Sequence, residues 1–316
     1  MPVSSPDHGN TNSNQGIESD FDLIALGETM VALAPPAGAS VRSASHLLVD
    51  HAGAESNTCV GLARLGFRVA WISRLGADAA GDRILDALGT EGPGTIDTRW
   101  VRRDESRRTG LMIKEPGVGV RYYRTSSAAS AMSAADLDGV PIATARAVLV
   151  TGVTALIGPQ PHAAGLALLD AAHGLRIVDP NLRQGLWGSD RRAELVRPFI
   201  DRCDLLLTGA QELAELFGDG DAEAMARRIA ARGVREIVVR DAAAIGVFAG
   251  GEWRTLDIRR DAAVDAIGAG DAFNAGYIAV RLRRGSIDEA LANGVRCGAA
   301  VTKAVSDTAG FPRSRS

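Results

Sequence analysis

Short apolar runs alternating with helical stretches are the feature that most limits how this chain can fold. Residues 23–26, 69–72, 147–150, 177–179, 205–207 and 237–239 are apolar almost throughout, with no polar residue at every second position. That pattern marks strands buried on both faces, as in a parallel sheet covered by helices. Helical patterns over residues 55–65, 161–172, 212–217, 221–231, 271–284 and 287–301 separate or follow these runs. The class is therefore α/β, with a mostly parallel central sheet. Several runs end in Asp, Thr or Gly, where parallel strands deliver polar loops to a binding site.

Two stretches break the rhythm. Residues 30–50 and 109–125 carry no helical period, and the second reads as two strands about the turn Pro116-Gly117-Val118-Gly119. Together they predict a small β lid outside the main sheet. Strand alternation puts Tyr122 and Arg124 on one face of it and Arg121 and Tyr123 on the other. The first face is expected to cover a ligand and the second to meet another subunit, giving a homo-oligomer. Residues 1–20 are rich in Ser, Asn and Gly and read as a disordered tail, leaving 21–316 as a single domain.

Composition excludes several functions. No apolar run approaches the roughly 20 residues that span a bilayer, and the start lacks a basic, apolar secretory signal. With a net charge of -3 and 4% aromatic residues, nucleic acid is not an expected partner. Three separated cysteines, Cys59, Cys203 and Cys297, fit a reducing cytoplasm. Only Lys114 and Lys303 among the 35 basic residues are lysines, and neither lies in a phosphate-loop frame. The five histidines have no metal-ligand spacing.

The chemistry concentrates in Asp265-Ala266-Ile267-Gly268-Ala269-Gly270-Asp271, which runs straight into an amphipathic helix. Small residues let the backbone turn so that amide N–H groups converge where the helix begins, and the positive helix end favours an anion there. Asp271 at that start can accept a proton from an attacking hydroxyl while the amides of Gly268, Ala269 and Gly270 hold developing negative charge. A second stretch, His51-Ala52-Gly53-Ala54-Glu55-Ser56-Asn57, opens the first helix; Gly53 permits close approach, and Asn57 offers a donor and an acceptor to sugar hydroxyls.

In their order and separation these two stretches resemble the signatures of the ribokinase-like, or PfkB, family of carbohydrate kinases, helped by the Ala63-Arg64-Leu65-Gly66 close of the first helix. The resemblance covers roughly residues 22–312. It implies a ribokinase-like three-layer sandwich, ATP and Mg²⁺ as cofactors, Asp271 as catalytic base and an anion hole from Gly268, Ala269 and Gly270. It further places Asn181, Arg240 and Asn293 beside the nucleotide, and Glu212 beside magnesium through water. The middle of the chain is similar to the family's 2-keto-3-deoxygluconate kinases, through Thr109-Gly110, Tyr122-Tyr123-Arg124-Thr125 and Asp179-Pro180-Asn181-Leu182-Arg183 with Leu186-Trp187. That likeness implies a sugar acid held by Tyr122, Arg124 and Arg183, with Asp307 closing the pocket. Arginine suits such a ligand because its charge is permanent and its fork matches a carboxylate. Met112, Gly209, Ile267 and the glycine-free Arg240-Asp241-Ala242-Ala243 depart from the family pattern. A neutral-sugar kinase and a non-catalytic sugar-acid-binding protein remain the alternative readings.

Overall fold

A computed structural model describes residues 20–115, 118–183, 186, 190–258, 268–302 and 308–312. Residues 1–19 of the expected disordered tail, the Pro116-Gly117 half of the lid turn, Trp187, Ile267 and Asp307 lie outside the described residues.

The chain begins with β1 (Leu23–Leu26), then β2 (Met30–Ala34), β3 (Leu48–Ala52), α1 (Ala54–Arg64), β4 (Arg68–Gly76) and α2 (Ala79–Leu88). Next come β5 (Thr95–Asp97), β6 (Val101–Asp104), β7 (Leu111–Glu115), β8 (Gly119–Tyr123), β9 (Ala147–Thr151), α3 (Gly152–Leu156) and α4 (Pro159–Ala171). The second half holds β10 (Leu175–Asp179), α5 (Arg192–Ile200), β11 (Leu205–Gly209), α6 (Ala210–Phe217), α7 (Ala222–Ala230) and β12 (Glu236–Arg240). A meander of β13 (Ala244–Ala249) and β14 (Glu252–Asp257) precedes α8 (Ala269–Leu282) and α9 (Ile287–Val301).

The main sheet runs β14-β13-β12-β11-β10-β9-β1-β4-β5, with β6 also paired to β4. Every pairing from β5 to β12 is parallel, and only β13 and β14 turn antiparallel at the edge. Each of the six apolar runs became a central strand, because side chains on both faces meet a helical layer. On one side Leu23, Trp71, Leu149 and Leu205 pack with α1 and α8. On the other Ile24, Ile72, Val150 and Leu206 pack with α4, α5 and α7. Three layers result, as expected.

Strand order places the functional region. From β1 the sheet grows one way through β4 and the other way through β9 and β10, so the side on which strands are added reverses between β1 and β9. Loops leaving neighbouring parallel strands diverge at such a switch and open a crevice beyond their carboxyl ends.

A separate four-stranded sheet, β3-β2-β7-β8, covers this crevice. Its inner face is apolar, with Met30, Ala32, Ala52 and Met112 packed against Val120 and Tyr122. Tyr123 points outward and is 58% exposed, so the alternation read from sequence matches the structure.

Candidate active site

The crevice holds a cavity of about 400 Å³ between the sheet ends and the lid. Its lining includes Gly53, Asn57, Tyr122, Arg124, Asn181, Arg183, Glu212, Arg240, Gly268, Gly270 and Asp271, most of the residues singled out from sequence. Ala269 stands between two of these on α8. Asn293 is not among them. Its side-chain amide donates to the Gly276 carbonyl at 2.7 Å, and it borders a shallow depression with Arg283 and Arg296.

At the cavity floor, Gly268 caps α8 with φ of 83°, the left-handed region where a Cβ is disfavoured. This turn sets Ala269, Gly270 and Asp271 as the first residues of the helix, where main-chain N–H groups have no partner within the helix itself. Among the described residues the Ala269 and Gly270 N–H groups have no acceptor, which leaves them as donors at the positive helix end. Asp271 is buried in the same turn, and Asn57 Nδ2 donates to its carboxylate at 2.9 Å. Asn57 thus orients the candidate base as well as lining the cavity. Gly53, the cap of α1, lets the segment after β1 pass close to the start of that helix: a Cβ there would lie 2.3 Å from the Glu28 carbonyl oxygen.

A polar network runs along one side. Arg240 donates to the Asp179 carboxylate at 3.2 Å, to Asn274 Oδ1 at 3.0 Å and to the Gly270 carbonyl at 3.1 Å. Asn274 Nδ2 in turn donates to Asp179 at 2.6 Å. Glu212 accepts from the Gly209 and Leu182 amides, each at 2.8 Å. Burial, and next the nearby Asp179 carboxylate, raise the pKa of Glu212, while Arg240 and those amides pull it back. Asn181, with φ of 37°, donates its backbone N–H to Asp179 Oδ1 at 2.9 Å, and its own buried Oδ1 has no partner among the described residues.

On the lid side Arg124 is not a free cation. Its Nε donates to Glu28 Oε2 at 2.7 Å, Nη2 donates to the same oxygen, and Ser127 Oγ donates to Glu28 Oε1 at 2.6 Å. The guanidinium lies 5.5 Å from the Tyr122 ring centre. Arg183, exposed at the cavity edge, has no anionic partner among the described residues.

Glu28, Asp179 and Asn274 were not assigned a role from sequence. Glu28 and Asp179 follow or end the apolar runs of β1 and β10, so a carboxylate at the carboxyl end of a buried strand was the available signal.

The sequence pattern described as "pfkB family carbohydrate kinase" matches residues 20–313. The chain belongs to this family. The kinase is 31% identical over 305 residues to "2-dehydro-3-deoxygluconokinase" of Bacillus subtilis (strain 168), covering 92% of this chain and 93% of that protein. A PfkB protein from Polaromonas sp. JS666 of known crystal structure superposes with a TM-score of 0.81 at 31% identity, covering 92% of this chain and 99% of the other. A putative ribokinase II from E. coli, solved with ATP and Mg²⁺, superposes with a TM-score of 0.85 at 20% identity, covering 93% and 96%. The kinase therefore has the ribokinase-like fold expected from its two motifs. No described helix is long and apolar enough to cross a membrane.

Proposed function

We propose that this kinase transfers a phosphoryl group from ATP to the terminal hydroxyl of a sugar acid, converting 2-keto-3-deoxygluconate to its 6-phosphate. The observation that carries the acid is Arg183, a cavity-edge guanidinium with no carboxylate of the described protein beside it. The Bacillus subtilis relative named 2-dehydro-3-deoxygluconokinase supports the same acceptor.

The residues suit a magnesium nucleotide. The Ala269 and Gly270 amides offer donors to phosphate oxygens, and the Asp179 and Glu212 carboxylates with Asn181 Oδ1 form an oxygen-rich edge fit for a hydrated magnesium ion. When bound, the nucleotide supplies the phosphoryl group and Mg²⁺ neutralises charge on its oxygens. Asp271, oriented by Asn57, accepts the proton of the attacking hydroxyl. The α8 amides hold the charge that develops on the transferring group. The lid excludes water, with Tyr122 and Arg124 meeting the sugar from above. Asp307 at the pocket mouth and Asn293 beside the adenine are assigned by family resemblance alone.

The second reading, a neutral-sugar acceptor of the fructose or ribose type, is favoured by the Glu28–Arg124 pair, which cancels one of the cations expected to receive a carboxylate. A coupled assay over 2-keto-3-deoxygluconate, fructose and ribose decides between them. Fastest turnover on the acid is expected, and faster turnover on fructose or ribose overturns the acid assignment.

The buried thiols of Cys59, Cys203 and Cys297 support a reducing, cytoplasmic setting. The lid's exposed Leu48, Val49 and Tyr123 support pairing with a second copy of the chain. Sedimentation at micromolar concentration is expected to show an oligomer, and a monomer removes that assignment.

A further inference from the structure

Three arginines line the cavity among the described residues, and they differ in their counterions. Arg240 is paired with Asp179 and Arg124 with Glu28, whereas Arg183 has no carboxylate beside it among the described residues. The Glu28 pair is the more enclosed: Glu28 is 2% exposed, and the Arg124 side chain is 9% exposed. Both Glu28 oxygens are engaged, one by Arg124 and the other by Ser127.

Opposite charges in contact act on a third group as a dipole, so Arg124 presents far less attraction to an anion than an isolated guanidinium would. A ligand carboxylate set against Arg124 would also stand beside the Glu28 carboxylate and be repelled. A hydroxyl meets no such conflict. A carboxylate has about four acceptor sites, and the three bonds to Glu28 leave room for one more donor. Arg124 Nη1 makes no hydrogen bond among the described residues, so one hydroxyl can donate to Glu28 while accepting from Arg124.

Resting on the sugar-acid reading above, we propose that Glu28 is a specificity-determining residue that converts Arg124 from an anion receptor into a hydroxyl clamp. Arg183 is thereby left as the guanidinium that takes the substrate carboxylate. The lid recognises the polyol part of the sugar, and the loop after β10 recognises the acid.

The test is steady-state kinetics of the full chain on 2-keto-3-deoxygluconate and on 3-deoxyfructose, the neutral analogue with a hydroxymethyl group in place of the carboxylate. Glu28→Gln keeps the shape of the side chain and removes its charge. The acid-to-neutral ratio of kcat/KM is expected to rise about tenfold, because Arg124 regains its attraction for anions. Arg183→Met is expected to lower that ratio by about 100-fold. The double variant Glu28→Gln with Arg124→Met, neutral at the pair as the wild type is, is expected to weaken both substrates alike, leaving the ratio within about threefold of the wild type.

An unmoved ratio in Glu28→Gln overturns the proposal, and so does a selective loss of the acid in the double variant. The double variant and Arg183→Met decide the matter if Glu28→Gln does not fold. Wild-type turnover tests the sugar-acid reading separately. Should the wild type accept only the neutral sugar, that reading falls, while acid turnover gained by Glu28→Gln still supports the role of Glu28 and its absence still overturns it.

Discussion

The floor and the cover of the cavity are built on different principles. The floor uses main-chain amides and one carboxylate from a contiguous turn, carried on α8 and seated against a parallel sheet. The cover uses side chains from separate segments, with Glu28, Arg124 and Ser127 joined across nearly a hundred residues of chain. A backbone cradle depends little on neighbouring side chains, so it suits chemistry common to many acceptors. Side-chain pairs are rewritten by single substitutions, so they suit the choice of acceptor.

The sharpest way to break this contrast is Asp271→Asn. Losing a positioned general base is expected to lower kcat by about a thousandfold. Sugar affinity by calorimetry should stay within about threefold, since the lid contacts remain. Retained turnover would remove Asp271 as base.

Gly53→Ala strikes the junction of the two regions. The new methyl would lie 2.3 Å from the Glu28 carbonyl oxygen, 2.8 Å from Thr29 Oγ1 and 2.9 Å from Ser56 Oγ. Overpacking of this kind is expected to cost about 1–3 kcal/mol in urea unfolding, together with a higher sugar KM. An unchanged urea midpoint would show that the junction yields freely.

Tyr122→Phe removes one hydroxyl from the cover. KM for the sugar is expected to rise about fivefold with kcat little changed, the cost of one neutral hydrogen bond. A fall in kcat alone would move Tyr122 to the floor's role.

The smallest effect concerns Glu55, buried behind both regions. Its Oε1 accepts from the Thr151 amide at 3.0 Å, Thr151 Oγ1 at 2.8 Å and Thr154 Oγ1 at 2.9 Å. Burial outweighs these bonds and raises its pKa. A carboxyl raised on folding contributes fully below its unfolded value, and that contribution is lost as pH rises through the folded value. Glu55→Gln abolishes the titration, so its stability should fall less than the wild type's as pH rises above the ordinary carboxylate range. Parallel pH curves for the two proteins would contradict the raised pKa.

Legibility in the sequence followed the same division. The six apolar runs became β1, β4, β9, β10, β11 and β12, and the glycine-rich turn did open a helix, because both signals are local. The short helix α3 has too few residues to show a period, and β14 is mostly exposed along its length, so neither left a usable pattern. Helix α2 was readable in principle, from Asp78 as its cap and from buried Ile84 and Leu88 one turn apart, yet it passed unassigned. Arg124 and Arg183 look alike as residues. Only the folded chain reveals that one meets a carboxylate from the segment after β1, while the other meets none among the described residues.

The lid is sewn from two distant stretches of chain, with β2 and β7 running side by side. Four strands of backbone consequently cross between cover and body, at residues 27–29, at Gly53, at 105–110 and just after Tyr123. Any tilting of one sheet against the other must pivot on those crossings. Glu28, Gly53 and Arg124 sit on them, so the groups that would grip the sugar are also the pivots. A ligand held by these groups would therefore bear directly on the points about which the roof can turn.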